Sequence, residues 1–233
     1  MSQMIKKAQG DAALLIEGGC DGILVENMGD VPYLNGGVYP ETVAAMSVAA
    51  HAVTQLGRPT GIQVLAAANR EALGIALASG AAFIRVEGFA YAHVADEGWI
   101  DASAGELLRA RSNLGSDVEI WADVQKKHSA HAITADLDLG EWVHGAAFCG
   151  ADTVIITGSR TGMAPNLEDV RAAVGHGCRV AVGSGVTCQN VEAYAPWADA
   201  VIVGSALKRD GHWKNTVELD RVKAMRQALD GAK

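Results

Sequence analysis

The strongest constraint on the fold of this chain is a repeat. Gly19-Cys20-Asp21-Gly22 leads into Ile23-Leu24-Val25-Glu26, and Gly80-Ala81-Ala82 into Phe83-Ile84-Arg85-Val86-Glu87. Gly150-Ala151-Asp152 precedes Val154-Ile155-Ile156, and Trp197-Ala198-Asp199 precedes Val201-Ile202-Val203-Gly204. One further strand-helix unit lies between successive copies. Short apolar runs bounded by glycine read as buried strands, and their alternation with helical stretches implies a parallel sheet. Even-numbered strands of a (β/α)8 barrel would show a turn and strand recurring at every second unit. A doubly wound open sheet has no reason for it. The expected fold is therefore a (β/α)8 TIM-type barrel over residues 1–233 as a single domain.

Taken in order, the chain opens on a helix over 3–18, with Met4, Ile5, Ala8, Ala12, Leu15 and Ile16 at helical spacing and Gly18-Gly19 closing it. A barrel normally opens on a strand, so the first strand is expected to be lacking here. Seven strands follow, at 22–25, 62–65, 83–86, 118–122, 154–156, 180–182 and 200–203. Pro40 and Glu41 start a helix ended by Gly57, Asn69 caps one ended by Gly80, and Asn166 opens one to about Val174. Ser103 with Glu106, and Asp138 with Glu141, have capping-box spacing. Thr187 is placed to cap a helix with Cys188, Gln189 and Asn190 in its first turn. Residues 217–229 form a terminal amphipathic helix. The segments 28–39 and 88–101 read as long loops, which are good carriers of binding groups.

Composition sets bounds. Hydrophobic residues are 49% but aromatics only 5%, which suits a core of Ala, Val, Ile and Leu between helices and parallel strands. A formal charge of −8 argues against a nucleic-acid binder, which needs a basic face. No apolar run is long enough to span a membrane, and Gln9-Gly10-Asp11 follows Lys6-Lys7 where a signal peptide would be apolar. A cytoplasmic protein is expected, with peripheral membrane association or an organelle as alternatives. Cys20, Cys149, Cys178 and Cys188 are scattered without a C-x-x-C pair and read as free thiols, the first three buried; Cys188 lies at a helix start that would favour a thiolate, though a small packing residue is the plainer reading.

Barrel chemistry sits at the C-terminal ends of strands. Those ends carry Glu26 and Asn27, Arg85 and Glu87, Asp123 with Lys127 and His128, and Thr157. Carboxylates from three strands facing one mouth could act as general acid and base, or hold a divalent metal against a phosphate. Alternatively, Arg85 pairs with Glu26 or Glu87 as a structural network in the mouth. Lys127 could be a phosphate contact or an amine nucleophile, though one of two adjacent lysines is more often simply solvated, and His128 could be a proton shuttle or cap a loop. Gly183-Ser184-Gly185 and Gly204-Ser205 end neighbouring strands, where backbone N–H groups and a helix start would hold an anion. The plainer alternative is that these glycines make tight turns. Tyr33 and Trp99, in the long loops, could stack on a ligand or staple the loops down.

Six segments together resemble the BtpA-like family: DGILVENMGDVPY (21–33), FIRVE (83–87), ADVQKKH (122–128), TGSRTG (157–162), GSGVTCQNV (183–191) and ADAVIVGSALKRDG (198–211). That family includes a photosystem I biogenesis protein and the sugar-operon protein SgcQ. The resemblance spans nearly the whole chain and implies a TIM-type barrel. Its signatures fall on Glu26, Asn27, Asp30, Pro32, Tyr33, Asp123, Lys127, His128, Thr157, Gly158, Thr161, Gly162, Gly183, Ser184 and Gly185, with no reaction attached. Two departures stand out. Family members begin with a strand carrying a His and a Pro-Leu-Pro-Gly segment, absent here, and Ala67-Ala68 replaces an Asn-Asp pair.

The functional expectation is an enzyme or enzyme-like barrel that binds a phosphorylated small metabolite. Isomerase or aldolase chemistry enters by fold analogy alone. The resemblance also implies a rival, a non-catalytic factor for biogenesis of a membrane complex of photosystem I type. It would act through a protein or membrane-surface interface on the loops at 28–39 and 88–101. A homo-oligomer or protein partner fits either. No cofactor is implied beyond the divalent metal.

Overall fold

The structure is a computed structural model that describes residues 1–158 and 163–232. Seven parallel strands form one sheet: β1 Ile23–Glu26, β2 Thr60–Gln63, β3 Phe83–Val86, β6 Glu119–Val124, β8 Thr153–Thr157, β9 Arg179–Gly183 and β10 Ala200–Ile202, paired in that order. Each strand follows a helix or a long crossover, which is why neighbours run parallel. The helices are α1 Ser2–Glu17, α2 Pro40–Thr54, α3 Asn69–Ser79, α4 Ala104–Asn113, α5 Leu139–Phe148, α6 Leu167–Ala172, α7 Val191–Tyr194 and α8 Leu219–Asp230. The sheet is curled, and its two end strands, β1 and β10, line one cleft without pairing to each other. The seven expected strands and the missing eighth are as the repeat implied.

The strand faces divide cleanly. Ile62, Ile84, Ile120, Val154, Ile156, Val180 and Val182 are at most 2% exposed and pack under the helices. Alternate residues face inward, in register from strand to strand: Glu26 beside Gln63, Arg85 beside Trp121, Asp123 beside Ile155, Thr157 beside Gly183 and Ile202 beside Gly183. At the lower end Phe83 stacks on Trp121 with ring centroids 4.2 Å apart. Gly61 makes room for that stack, since a Cβ there would lie 2.2 Å from the Phe83 ring.

The recurring turn has a physical origin. The Asp152 carboxylate accepts from the Ile120 amide on the preceding strand at 2.8 Å, and Asp199 does the same with Val180 at 2.8 Å. In each case the Asp backbone N–H also donates to that neighbour's carbonyl, so the turn ties a strand to the one before it. Ala82 keeps the backbone half of this tie, donating to Thr60.

Several local expectations are corrected. The segment 88–101 is not loop alone: β4 His93–Ala95 and β5 Gly98–Ile100 form a hairpin, which pairs with β7 Ser129–Ala130 as a small antiparallel sheet. The Asp138–Glu141 capping box forms, but Ser103 donates its hydroxyl to Gly88 O instead of capping α4. Asn69 lies inside α3, and its amide reaches Glu87 O at 2.7 Å and Ser103 Oγ at 3.0 Å. The helix expected from Thr187 starts only at Val191, because Asn190 folds back to bond Thr187 N and Gly185 O. Cys188 thus lies outside a helical turn, while the other three thiols are half-buried rather than buried.

Candidate functional site

At the C-terminal ends of the strands, Arg85 occupies the middle of the barrel mouth. Its side chain is 7% exposed. Nε and Nη2 each donate to Asp123 at 2.9 Å, and Nη1 reaches Glu26 Oε1 at 3.4 Å. Burial opposes the charge of Arg85, but Asp123 and then Glu26 outweigh it and fix the guanidinium as a cation. Gly183, on the far side, packs closely on Ile155: a Cβ there would sit 2.9 Å from the Ile155 side chain and in ordinary contact, 3.8 Å, with Arg85 Nη2.

A second buried charge cluster lies beside the first. Glu87, just past β3, accepts from Gln63 Nε2 at 3.0 Å and lies 3.3 Å from Lys126 Nζ. Lys126 also bonds Glu97 at 2.9 Å, and Glu97 is carried there by the β4–β5 hairpin. Burial pushes the Glu87 carboxyl up, with Lys126 only partly offsetting it. The same two carboxylates hold Lys126 charged against burial. Behind it lie His93 and His131, ring centroids 5.3 Å apart. Burial, His131 and Lys126 push the His93 pKa down to about 4.

Lys127 points differently from its neighbour. It is half-buried, and among the described residues its ammonium has no ion-pair partner. Burial and then Arg85 lower its pKa. His128 is exposed with φ 58°, and its carbonyl accepts from Asp96 N at 3.3 Å, which anchors the hairpin. Asn27 and Asp30 tie the loops after β1 and β2: Asn27 accepts from Leu65 N at 2.8 Å and donates to Asp30 at 3.0 Å. The Tyr33 hydroxyl donates to Met28 O at 3.2 Å. Asn35 bonds the carbonyls of Glu97 and Trp99, which joins the two long loops, and Trp99 itself bonds Asp101.

The glycine loops sit side by side, because Ile202 is in register with Gly183. Ser184 and Gly185 adopt φ of 70° and 64°. Gly185 and Gly158 also serve a close approach within the protein, since a Cβ at either would lie 2.2 Å from the Met163–Ala164 backbone. Gly204 opens on free space, and Ser205 starts a short 3-10 turn. The Thr157 hydroxyl is buried without a hydrogen-bond partner among the described residues. Thr161 and Gly162 lie outside the described residues.

The fold thus brings Glu26, Arg85, Glu87, Asp123, Lys127 and Thr157 to one mouth. Lys126, Glu97, Gln63 and His93 join them without a sequence signal. Glu97 arrives through a hairpin with no turn motif to announce it, and two left-handed residues, Gln125 (φ 52°) and His128, decide which of two adjacent lysines turns inward. Among the described residues no three His, Cys, Asp or Glu side chains come together as metal ligands. Among the described residues no helix is long and apolar enough to cross a membrane.

The profile of the BtpA family matches residues 1–231. An uncharacterized mitochondrial protein of Caenorhabditis elegans is 44% identical over 230 residues, covering 95% of this chain and 83% of that protein. The photosystem I biogenesis protein BtpA of Synechocystis is 38% identical over 233 residues, covering 98% of this chain and 80% of that protein. Among solved structures, a thiamine phosphate pyrophosphorylase from Pyrococcus furiosus superposes with a TM-score of 0.62 at 15% identity, over 96% of this chain and 89% of that one. A phosphoribosyl anthranilate isomerase from Thermus thermophilus gives 0.62 at 15% identity, over 97% and 95%. At such identities these two establish the fold alone.

Proposed function

This chain belongs to the BtpA family, and from that premise we propose that its barrel mouth binds a phosphorylated small metabolite in an enzyme-like role. One observation carries most of the weight: the half-buried Lys127 ammonium has no ion-pair partner among the described residues, beside Arg85 at the strand ends. A half-buried cation without a paired carboxylate is costly, and an anionic ligand would supply the missing pair. The Thr157 hydroxyl beside Gly183, without a hydrogen-bond partner among the described residues, and the open backbone at Gly204-Ser205 offer further contacts for phosphate oxygens. Glu26, Glu87 and Asp123 would face the rest of the ligand. The raised Glu87 suits a proton donor, and a lysine of lowered pKa suits a carbonyl substrate of isomerase or aldolase type. The thiamine phosphate pyrophosphorylase and phosphoribosyl anthranilate isomerase that share the fold suggest the same class by analogy alone.

A thermal-shift screen with inorganic phosphate, ribose 5-phosphate and triose phosphates tests this. A ligand at a hundredfold excess over its Kd stabilises by about 2.7 kcal/mol, a readable rise in Tm. No shift with any of them counts against the site. A second reading, a partner-binding factor, has one observation in its favour: Val31, Leu34, Tyr39, Val94 and Trp99 are between 43% and 62% exposed on the two joined mouth loops. Pull-down with both loops replaced tests it, and unchanged partner recovery removes these loops as the interface.

A further inference from the structure

We infer that two copies of this chain pair through the outer face of α4 and α5, each inserting Phe148 into an apolar socket on the other. Phe148 ends α5 and is 86% exposed, more than any other large apolar side chain among the described residues. A single apolar residue at a surface is ordinary, whereas one beside an apolar hollow extends it into a patch that marks an interaction site. None of the residues placed at the barrel mouth lines that hollow, so the inference does not depend on a ligand there.

The socket is built from large residues below and small ones around. Its floor is the fully buried Phe89 with the ring of Tyr91. Tyr91 takes φ 60° and lies on α5, where a Cβ at Gly145 would come 2.5 Å from its hydroxyl. Ala104 and Gly105, in the first turn of α4, and Cys149, just past α5, form walls too short to fill the space. The volume is about 310 Å3. A dry cavity of about 150 Å3 already admits benzene, so a phenyl ring fits.

Two observations select a second copy as the occupant. Knob and socket adjoin, so a two-fold axis between them seats each Phe148 in the other copy's socket, and an isologous contact of that kind closes at two. The rim is also self-complementary in charge. Glu106 and Arg109 stand one turn apart on α4, both exposed, and neither is ion-paired among the described residues. Arg109 Nη1 donates to Gly105 O at 2.8 Å, which holds the guanidinium at the edge of the socket. The same axis turns Glu106 of each copy toward Arg109 of the other, whereas a purely acidic or basic partner would set one of them against its like. Each helix has ten residues and is about 15 Å long, so the contact belongs to the small, reversible class and leans on its aromatic anchor.

Sedimentation of the full chain from about 2 to 200 µM reads the pairing directly. A monomer–dimer equilibrium without larger species is expected for the parent and for Tyr39→Ala, which removes an exposed ring elsewhere. Phe148→Lys removes the knob and places a charge suited to a helix end. Gly105→Leu plugs the socket, and a Cβ there meets only Arg109 Nη1, at 3.2 Å, so the fold has room for it. Each variant should weaken pairing about tenfold or more while keeping the parent's Tm. Alkylation of Cys149 should slow roughly fivefold as the parent pairs, with the exposed Cys188 keeping its rate. A parent that stays monomeric at the highest concentration overturns the inference, as does a dimer that either variant keeps. Growth past the dimer would mean head-to-tail contact and overturns it as well.

Discussion

Asp123 grips Arg85 with both carboxylate oxygens, Nε and Nη2 each at 2.9 Å, while the two side chains are 2% and 7% exposed. This planar, two-pronged pair sets the floor of the barrel mouth and leaves the arginine little charge to offer a ligand. Under the proposed function, phosphate recognition would therefore fall to other groups, chiefly Lys127 and backbone amides.

Removing one partner of a buried pair strands the other. Asp123→Ala is expected to cost about 3–5 kcal/mol in urea unfolding, whereas Asp123→Leu with Arg85→Met should recover much of that loss. A cost under about 1 kcal/mol for the single change would mean the pair is solvated in solution.

His93 gives the fold an acid limit. Its folded pKa of about 4 lies below the ordinary 6.5, so the folded state takes up the proton less readily than the unfolded chain. Its contribution is whole above pH 6.5 and disappears as pH falls toward 4, a loss of about 3 kcal/mol. His93→Phe should flatten the stability profile across that window. A variant with the same slope as the parent would place the acid sensitivity elsewhere.

Gly61 is required by the Phe83–Trp121 stack. Gly61→Ala brings a Cβ to 2.2 Å from the Phe83 ring, an overpacking that should cost about 1–3 kcal/mol. The near-UV circular dichroism of the stacked Trp121 should change with it. An unaltered spectrum and Tm would show that the stack can shift at no cost.

Much of this architecture was legible in the residues. The turn before Val154 and the turn before Val201 look alike because Asp152 and Asp199 make the same bond to the strand before, and that likeness marks a barrel. Inward residues at strand ends, Glu26, Arg85 and Asp123, follow from strand alternation. Lys126, Glu97 and His93 do not, because a hairpin without a turn signature and two left-handed residues bring them in. Gly185 carries two readings, an anion-holding loop or a tight turn, and a Cβ there, as at Gly158, would meet the Met163–Ala164 backbone at 2.2 Å.

Calorimetric titration of inorganic phosphate into the parent chain and into Lys127→Met bears most directly on the mouth as an anion site. Saturable binding by the parent that weakens at least tenfold in the variant, with Tm unchanged, is the expected result. Equal heats from both proteins, or none from the parent, would contradict it.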